Sequence, residues 1–257
     1  MKYHGRSVLV VCLLLMTTAC GRKGALIYPD MLAPAATTAV TAFQSGSVIK
    51  LQFILSGKDQ GGRPVQGVTG VKISKRSVAE ADQNNVCRNC TIDYRLFRTL
   101  YLEHLPATTQ RIGNMLTMLD GDVSAGNTYS YSIVPFTAGG VDGASFATAD
   151  VHVTAPSRAP LLKLESLPTE VKVHISMNPP VPGNLLGYNL YRTSVASERS
   201  YLPLNREPFN GNEYVDTTLE RGVKYRYTAR ALIRRTSGES MESAESEEVE
   251  GMLKDDE

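Results

Sequence analysis

The sequence predicts an all-β protein built as two β-sandwich domains in tandem, and three observations lead there. A twelve-residue pattern, D-x-x-[VL]-x-x-G-x-x-Y-x-Y, occurs twice at an offset of 96. It runs once through Asp120, Val123, Gly126, Tyr129 and Tyr131 and again through Asp216, Leu219, Gly222, Tyr225 and Tyr227. Short segments alternate apolar and polar residues with the period of two that a half-buried strand requires. At 257 residues the chain exceeds a usual domain of roughly 100–150 residues, so two compact units are the default expectation.

Taken in order, the chain opens with a basic lead of Lys2, His4 and Arg6 and an unbroken apolar run over 8–16 (VLVVCLLLM). That run is far short of the ~20 residues that span a bilayer and reads as a signal peptide, residues 1–19. Residues 20–38 read as a tether. The first domain, 39–154, contains the alternating strand 48–55 (VIKLQFIL) and a marker, Gly70-Val71-Lys72-Ile73, answered by Gly187-Tyr188-Asn189-Leu190 at an offset of 117. The two offsets differ by 21, so the first domain carries about that many extra residues between its markers, Cys87 and Cys90 among them. Within this insertion, residues 90–105 are either a short helix or, as preferred, a returning strand. Residues 155–160 form a short proline-stiffened linker. The second domain, 161–251, holds the strand 171–177 (VKVHISM), stopped by Asn178-Pro179-Pro180, and a later strand placing Tyr225, Tyr227, Ala229 and Ala231 on one face. An acidic tail, 252–257, ends the chain.

Each marker has a physical role. The motif glycine permits the positive φ of a tight turn, and the tyrosine after it starts a strand. The repeated Asp120 and Asp216 fit a turn acceptor of the Asx type better than acid chemistry.

The aliphatic-x-x-Gly-x-x-Tyr spacing in both copies resembles the turn entering the sixth strand of the fibronectin type III domain, an immunoglobulin-like sandwich of seven strands. Gly187-Tyr188-Asn189-Leu190-Tyr191-Arg192 resembles its third strand. The resemblance implies that Tyr129 and Tyr225 form tyrosine corners, each phenol bonding backbone across its turn. It also implies that Phe53 or Leu55, and Ile175 or Met177, stand where the family usually has a core tryptophan. The fold class expected is therefore two tandem fibronectin type III-like sandwiches.

At the N-terminus, Met16-Thr17-Thr18-Ala19-Cys20-Gly21 resembles the bacterial lipobox, with Thr17 where Leu is usual. This implies cleavage before Cys20 and acyl chains such as palmitate on that cysteine, each buried methylene contributing ~0.8 kcal/mol of membrane binding. The following Gly21, Lys23, Gly24 and Leu26, with Pro29 beyond, resemble the C-G-x-K-G-P-L-x-x-P start of a group of small outer-membrane lipoproteins, Ala25 replacing the proline. One of that group assists assembly of the lipopolysaccharide export channel. The implied address is the outer membrane, facing the periplasm; the alternative is a plain flexible tether.

Cysteine use agrees with that address. Cys12 leaves with the leader and Cys20 takes the lipid, so Cys87 and Cys90 remain as a C-x-x-C pair. In an oxidising compartment a short disulfide is the simplest reading. A metal site, which needs further ligands, and a thioredoxin-like redox centre, which needs a strand before and a helix after, stay open beside it.

The formal net charge is +1, so no global field draws in nucleic acid. Charge is uneven locally: residues 221–235 hold Arg221, Lys224, Arg226, Arg230, Arg234 and Arg235, while 239–257 hold nine acids and one lysine. The two stretches are expected to pair across neighbouring strands or to leave the cations as a patch for phosphate-bearing lipid or an acidic partner. No nucleophile elbow, phosphate-cradling loop or H-E-x-x-H motif occurs. No enzyme activity, cofactor or metal is expected. The function expected is a non-enzymatic interaction or scaffold module of the envelope, held to a membrane by lipid and meeting an unidentified envelope protein. The alternatives are an assembly factor for an outer-membrane machine and a glycan-binding accessory protein.

Overall fold

A computed structural model describes residues 28–65, 67–82, 93–177 and 183–255. Regular structure within them is strand, apart from single 3-10 turns at Pro29–Leu32 and Glu80–Asp82.

In the first sandwich, β1 (Thr38–Ser45), β2 (Val48–Ile54), β5 (Thr109–Ile112) and β6 (Met115–Asp120) lie in one layer in the order β1-β2-β6-β5. The facing layer runs β4 (Arg95–Tyr101), β3 (Val68–Ala79) and β7 (Asn127–Thr137), with β8 (Phe146–Ala147) and β9 (Val151–His152) both on β7. In the second, β10 (Leu161–Ser166), β11 (Val171–Ser176) and β13 (Glu213–Asp216) face β12 (Asn184–Ser194), β14 (Tyr225–Arg234), β15 (Ser240–Glu242) and β16 (Val249–Gly251). The two share one topology. First, second and fifth core strands form one sheet (β1-β2-β6, β10-β11-β13), and third, sixth and seventh form the other. This is the strand order of a fibronectin type III-like sandwich.

The insertion expected in the first domain returns as β4, a strand rather than a helix, antiparallel to β3 with Gly70 opposite Tyr101. In the second domain the corresponding place is taken by an irregular segment that meets β12 at a Tyr188 to Phe209 bridge and through the Leu204 amide on the Leu190 carbonyl and Asn205 on the Leu190 amide.

Alternation sets the cores. From β2, Ile49, Leu51 and Phe53 are fully buried, and they meet Val71 and Ile73 of β3 and Ile133 of β7. In the second domain Val171, Val173 and Ile175 pack on Leu190, Ala229 and Ile233. Each such large aliphatic or aromatic side chain contributes about 1.5–3 kcal/mol by leaving water. Of the candidates for the expected tryptophan positions, Phe53, Leu55 and Ile175 are buried and Met177 is partly buried against the second core.

The repeated motif builds the same polar cluster twice. Tyr131 donates its hydroxyl to Asp120 Oδ2 at 2.6 Å, and Tyr227 does the same to Asp216 Oδ2 at 2.9 Å. A cation from the third core strand completes each: Lys75 Nζ stands 2.8 Å from Asp120, and Arg192 Nη1 2.7 Å from Asp216. Both cations also lie over the preceding motif tyrosine, Lys75 at 4.9 Å from the Tyr129 ring and Arg192 at 4.8 Å from that of Tyr225. The second carboxylate oxygen closes the Asx turn, accepting from the Asp122 amide in one copy and from the Thr218 amide in the other. The turn then passes through Gly126 (φ 86°) or Gly222 (φ 76°), conformations that cost other residues strain.

Burial alone would raise the Asp216 pKa, but the bonds from Thr218, Arg192 and Tyr227 outweigh it and hold the carboxyl below its ordinary value. Removing one donor should therefore be felt. Tyr227→Phe and Tyr131→Phe are each expected to lower the free energy of unfolding by about 1–3 kcal/mol, because a buried carboxylate loses a bond without gaining water. Urea denaturation of the two variants checks this, and midpoints at the wild-type value would contradict it.

Candidate functional site at the domain junction

The outer face of β2 departs from the half-buried pattern its sequence predicts. Lys50 points away from the first core yet is only 4% exposed. Lys50 is covered because the second domain closes over it. The end of β1 pairs in parallel with β15, Ser45 opposite Glu242, so the second domain's β12-β14-β15 layer continues into the first domain's β1-β2-β6-β5 layer as one eight-stranded sheet. The Gly46 amide donates to the Glu242 carbonyl at 3.0 Å just beyond this register pair.

Glu242 is fully buried at the seam. One carboxylate oxygen accepts from Ser45 Oγ at 2.5 Å and faces Lys50 Nζ at 3.0 Å. The other accepts from Asn189 Nδ2 and Tyr191 Oη, each at 2.6 Å. Lys50 also donates to Tyr191 Oη at 2.7 Å. Ser45 and Lys50 belong to the first domain, Asn189, Tyr191 and Glu242 to the second, so four donors from both bodies converge on one carboxylate. Burial pushes the Glu242 carboxyl up, but Lys50 and the Ser45, Tyr191 and Asn189 bonds outweigh it, and its pKa lies below the ordinary 4.5. Burial pulls the Lys50 ammonium below its usual range against the opposing pull of Glu242. Burial and the adjacent carboxylate both raise the Tyr191 phenol.

Two further clasps flank this cluster. Arg235 Nη2 reaches Gln44 Oε1 at 2.5 Å and Thr154 Oγ1 at 2.6 Å, and its Nη1 reaches the His152 carbonyl at 3.0 Å. Tyr201 takes Gln110 Oε1 on its amide at 3.0 Å and gives its hydroxyl to the Ala107 carbonyl. Chemically the carboxylate is saturated and dry. A carboxylate with its lone pairs occupied and no solvent access takes no proton from a substrate; it holds two bodies at one angle.

Of the residues singled out from sequence, Tyr129 and Tyr225 lie at their turns. The Ser124 amide donates to Tyr129 Oη at 2.9 Å and the Glu220 amide to Tyr225 Oη at 3.3 Å, each five residues upstream. Cys20, Gly21, Lys23, Gly24, Leu26, Cys87 and Cys90 lie outside the described residues, as does the strand stop at 178–180. Basic and acidic stretches near the end pair with each other, along β14 and the segment that leads into and through β16: Lys224 with Glu250 at 3.1 Å, Arg226 with Glu248 at 4.0 Å and Arg230 with Glu245 at 3.5 Å. Sequence reasoning missed Lys75 and the role of Arg192, which it named only as the last residue of a third-strand motif, although both obey the 117 offset already found for the strand marker. It missed Lys50 and Glu242 for a different reason: no local pattern announces them.

No protein-family model and no curated protein matches the chain. Among solved structures, the FN1-FN3 domains of chicken CNTN1 are similar at 11% identity and a TM-score of 0.30, over 86% of this chain and 67% of theirs. So loose a superposition leaves the strand order and register, described above, as the basis of the fold assignment.

Glu242→Gln strands the buried Lys50 ammonium, so a loss of about 3–5 kcal/mol is expected, and calorimetry should show one transition for the wild type and two for the variant as the domains uncouple. Glu250→Gln, on an exposed pair with Lys224, should change stability by no more than about 1 kcal/mol. The pH dependence follows from the depressed carboxyl pKa values of Glu242 and Asp216. Their stabilisation is complete above the unfolded carboxyl values and is lost as pH falls through the lower folded ones. Melting temperature should thus hold from neutrality to about pH 4.5 and decline below it, less steeply in Glu242→Gln; an unchanged acid slope in that variant would refute the assignment.

Proposed function

We propose that this chain is a lipoprotein of the cell envelope, anchored through Cys20 to the outer membrane and facing the periplasm, whose paired sandwiches act as a non-enzymatic interaction or scaffold module. The observation that carries the reading is the saturated Glu242 junction, which makes two small domains one rigid body. A rigid pair presents its loops and edges at fixed separation, and binding to such a surface forfeits little conformational entropy. Among the described residues β4 and β10 are edge strands, with Leu96 and Leu161 exposed at 64% and 61%, and an edge of this kind accepts a partner strand. The anchor rests on the apolar leader and the lipobox resemblance.

Metabolic labelling with an alkynyl palmitate tests the anchor: labelling is expected in the wild type and absent in Cys20→Ser. Photocrosslinkers placed at Leu96 and at Leu161 in intact cells test the module. A discrete envelope protein captured from one edge and not the other is the expected outcome, and recovery of uncrosslinked chain from both would reject it.

A second reading, an assembly factor for an outer-membrane machine, is favoured by the Gly21, Lys23, Gly24 and Leu26 start. Replacing Lys23 and Gly24 while keeping Cys20 separates it from a plain tether, since an assembly factor so altered should leave the outer membrane more permeable to large antibiotics.

A further inference from the structure

Beside the junction lies a pocket of about 410 Å³. Its volume is within the ~300–1,000 Å³ of small-molecule sites. Both domains line it: Ser47 and Lys50 from the first, Tyr191, Arg199, Arg230 and Glu245 from the second. Val48, Leu119 and Pro156 give it an apolar floor.

The charge balance of this pocket is uneven. Lys50 is taken by Glu242 at 3.0 Å, behind the wall. Glu245 serves two guanidiniums at once, Arg230 at 3.5 Å and Arg199 in closer contact, while also accepting from Thr228 Oγ1 at 2.8 Å. One carboxylate shared by two arginines leaves one positive charge in excess. Arg230 is also sequestered, its side chain 17% exposed, with Nη1 held by the Ser243 carbonyl at 2.9 Å. The positive charges crowd: burial lowers the Lys50 ammonium, with Arg230 and Arg199 adding to the effect, and burial lowers Arg230, with Arg199 adding to it. An anion entering the pocket would relieve that repulsion, in a setting where water screens it poorly. Arginine forks suit the planar or tetrahedral oxygens of carboxylate and phosphate, and Ser47 in the lining adds a hydroxyl to the donor set.

We infer that the junction pocket lined by Lys50, Arg199, Arg230 and Ser47 is a binding site for a small oxyanion, the phosphate or carboxylate of a sugar whose ring covers the apolar floor. The ligand contacts both domains and so tightens a junction already formed. The inference does not require the lipid anchor, and it goes beyond the scaffold reading by giving the module a ligand of stated chemistry.

Calorimetric titration of the full chain in detergent with glucose 1-phosphate, glucuronate, inorganic phosphate and glucose, at constant ionic strength set with sodium chloride, tests it. Saturable binding is expected for the anionic sugars and none for glucose. Weaker binding of inorganic phosphate than of the anionic sugars is expected, since the ring then contributes; saturation by phosphate at equal affinity would overturn the assignment to a sugar. The Arg199 side chain is half exposed, so Arg199→Glu and Arg199→Ala are expected to fold, as their unliganded melting temperatures will show. Arg199→Glu should weaken binding by about tenfold or more, Arg199→Ala by less. Absence of saturable heat for every anion, equal binding of glucose, or unchanged affinity in folded Arg199→Glu would each overturn the assignment.

Discussion

Glu242 is the point on which the arrangement of this molecule turns. A carboxylate moved from water into a protein interior loses several kcal/mol of solvation, and only good geometry and further hydrogen bonds return it. Here Lys50, Ser45, Tyr191 and Asn189 meet those terms together, and they do so only if the two sandwiches sit at one angle with β1 against β15. An apolar seam would tolerate sliding. A buried ion pair with directional bonds does not, because a small displacement leaves charges dry and unmatched.

That constraint changes what tandem sandwiches usually offer. Domains joined by a short linker alone move relative to each other by default. In this chain the linker is the lesser connection: strand pairing, the Glu242 cluster and the Arg235 and Tyr201 clasps all cross the boundary. Surfaces formed by both bodies, such as the cationic pocket at the seam, are therefore permanent features and not the product of a chance encounter between domains.

The internal clusters show the same chemistry at smaller scale. Asp120 with Lys75 and Tyr131, and Asp216 with Arg192 and Tyr227, each lock a turn to the third core strand. Both sandwiches lack tryptophan, and a buried ionic tie between sheets adds direction to cores made of smaller side chains. Lysine in one copy and arginine in the other do the same work, each lying over its corner tyrosine as well as beside its aspartate.

Much of the fold was legible in the sequence because it depends on local periodicity. Alternation over 48–55 and 171–177 identified strands, and the motif around Gly126 and Gly222 identified turns whose φ only glycine adopts freely. The repeat offsets located two copies of one domain and, through Lys75 and Arg192, contained a cluster that went unnoticed until distances were known. The junction was not legible. Ser45 and Glu242 are 197 positions apart, Lys50 looks like an ordinary outward residue of a half-buried strand, and Glu242 is one acid among many near the end of the chain. Periodicity fixes which face of a strand turns inward within its own domain. Whether the opposite face meets water or a second domain depends on how two finished sandwiches dock, and only the tertiary structure decides that.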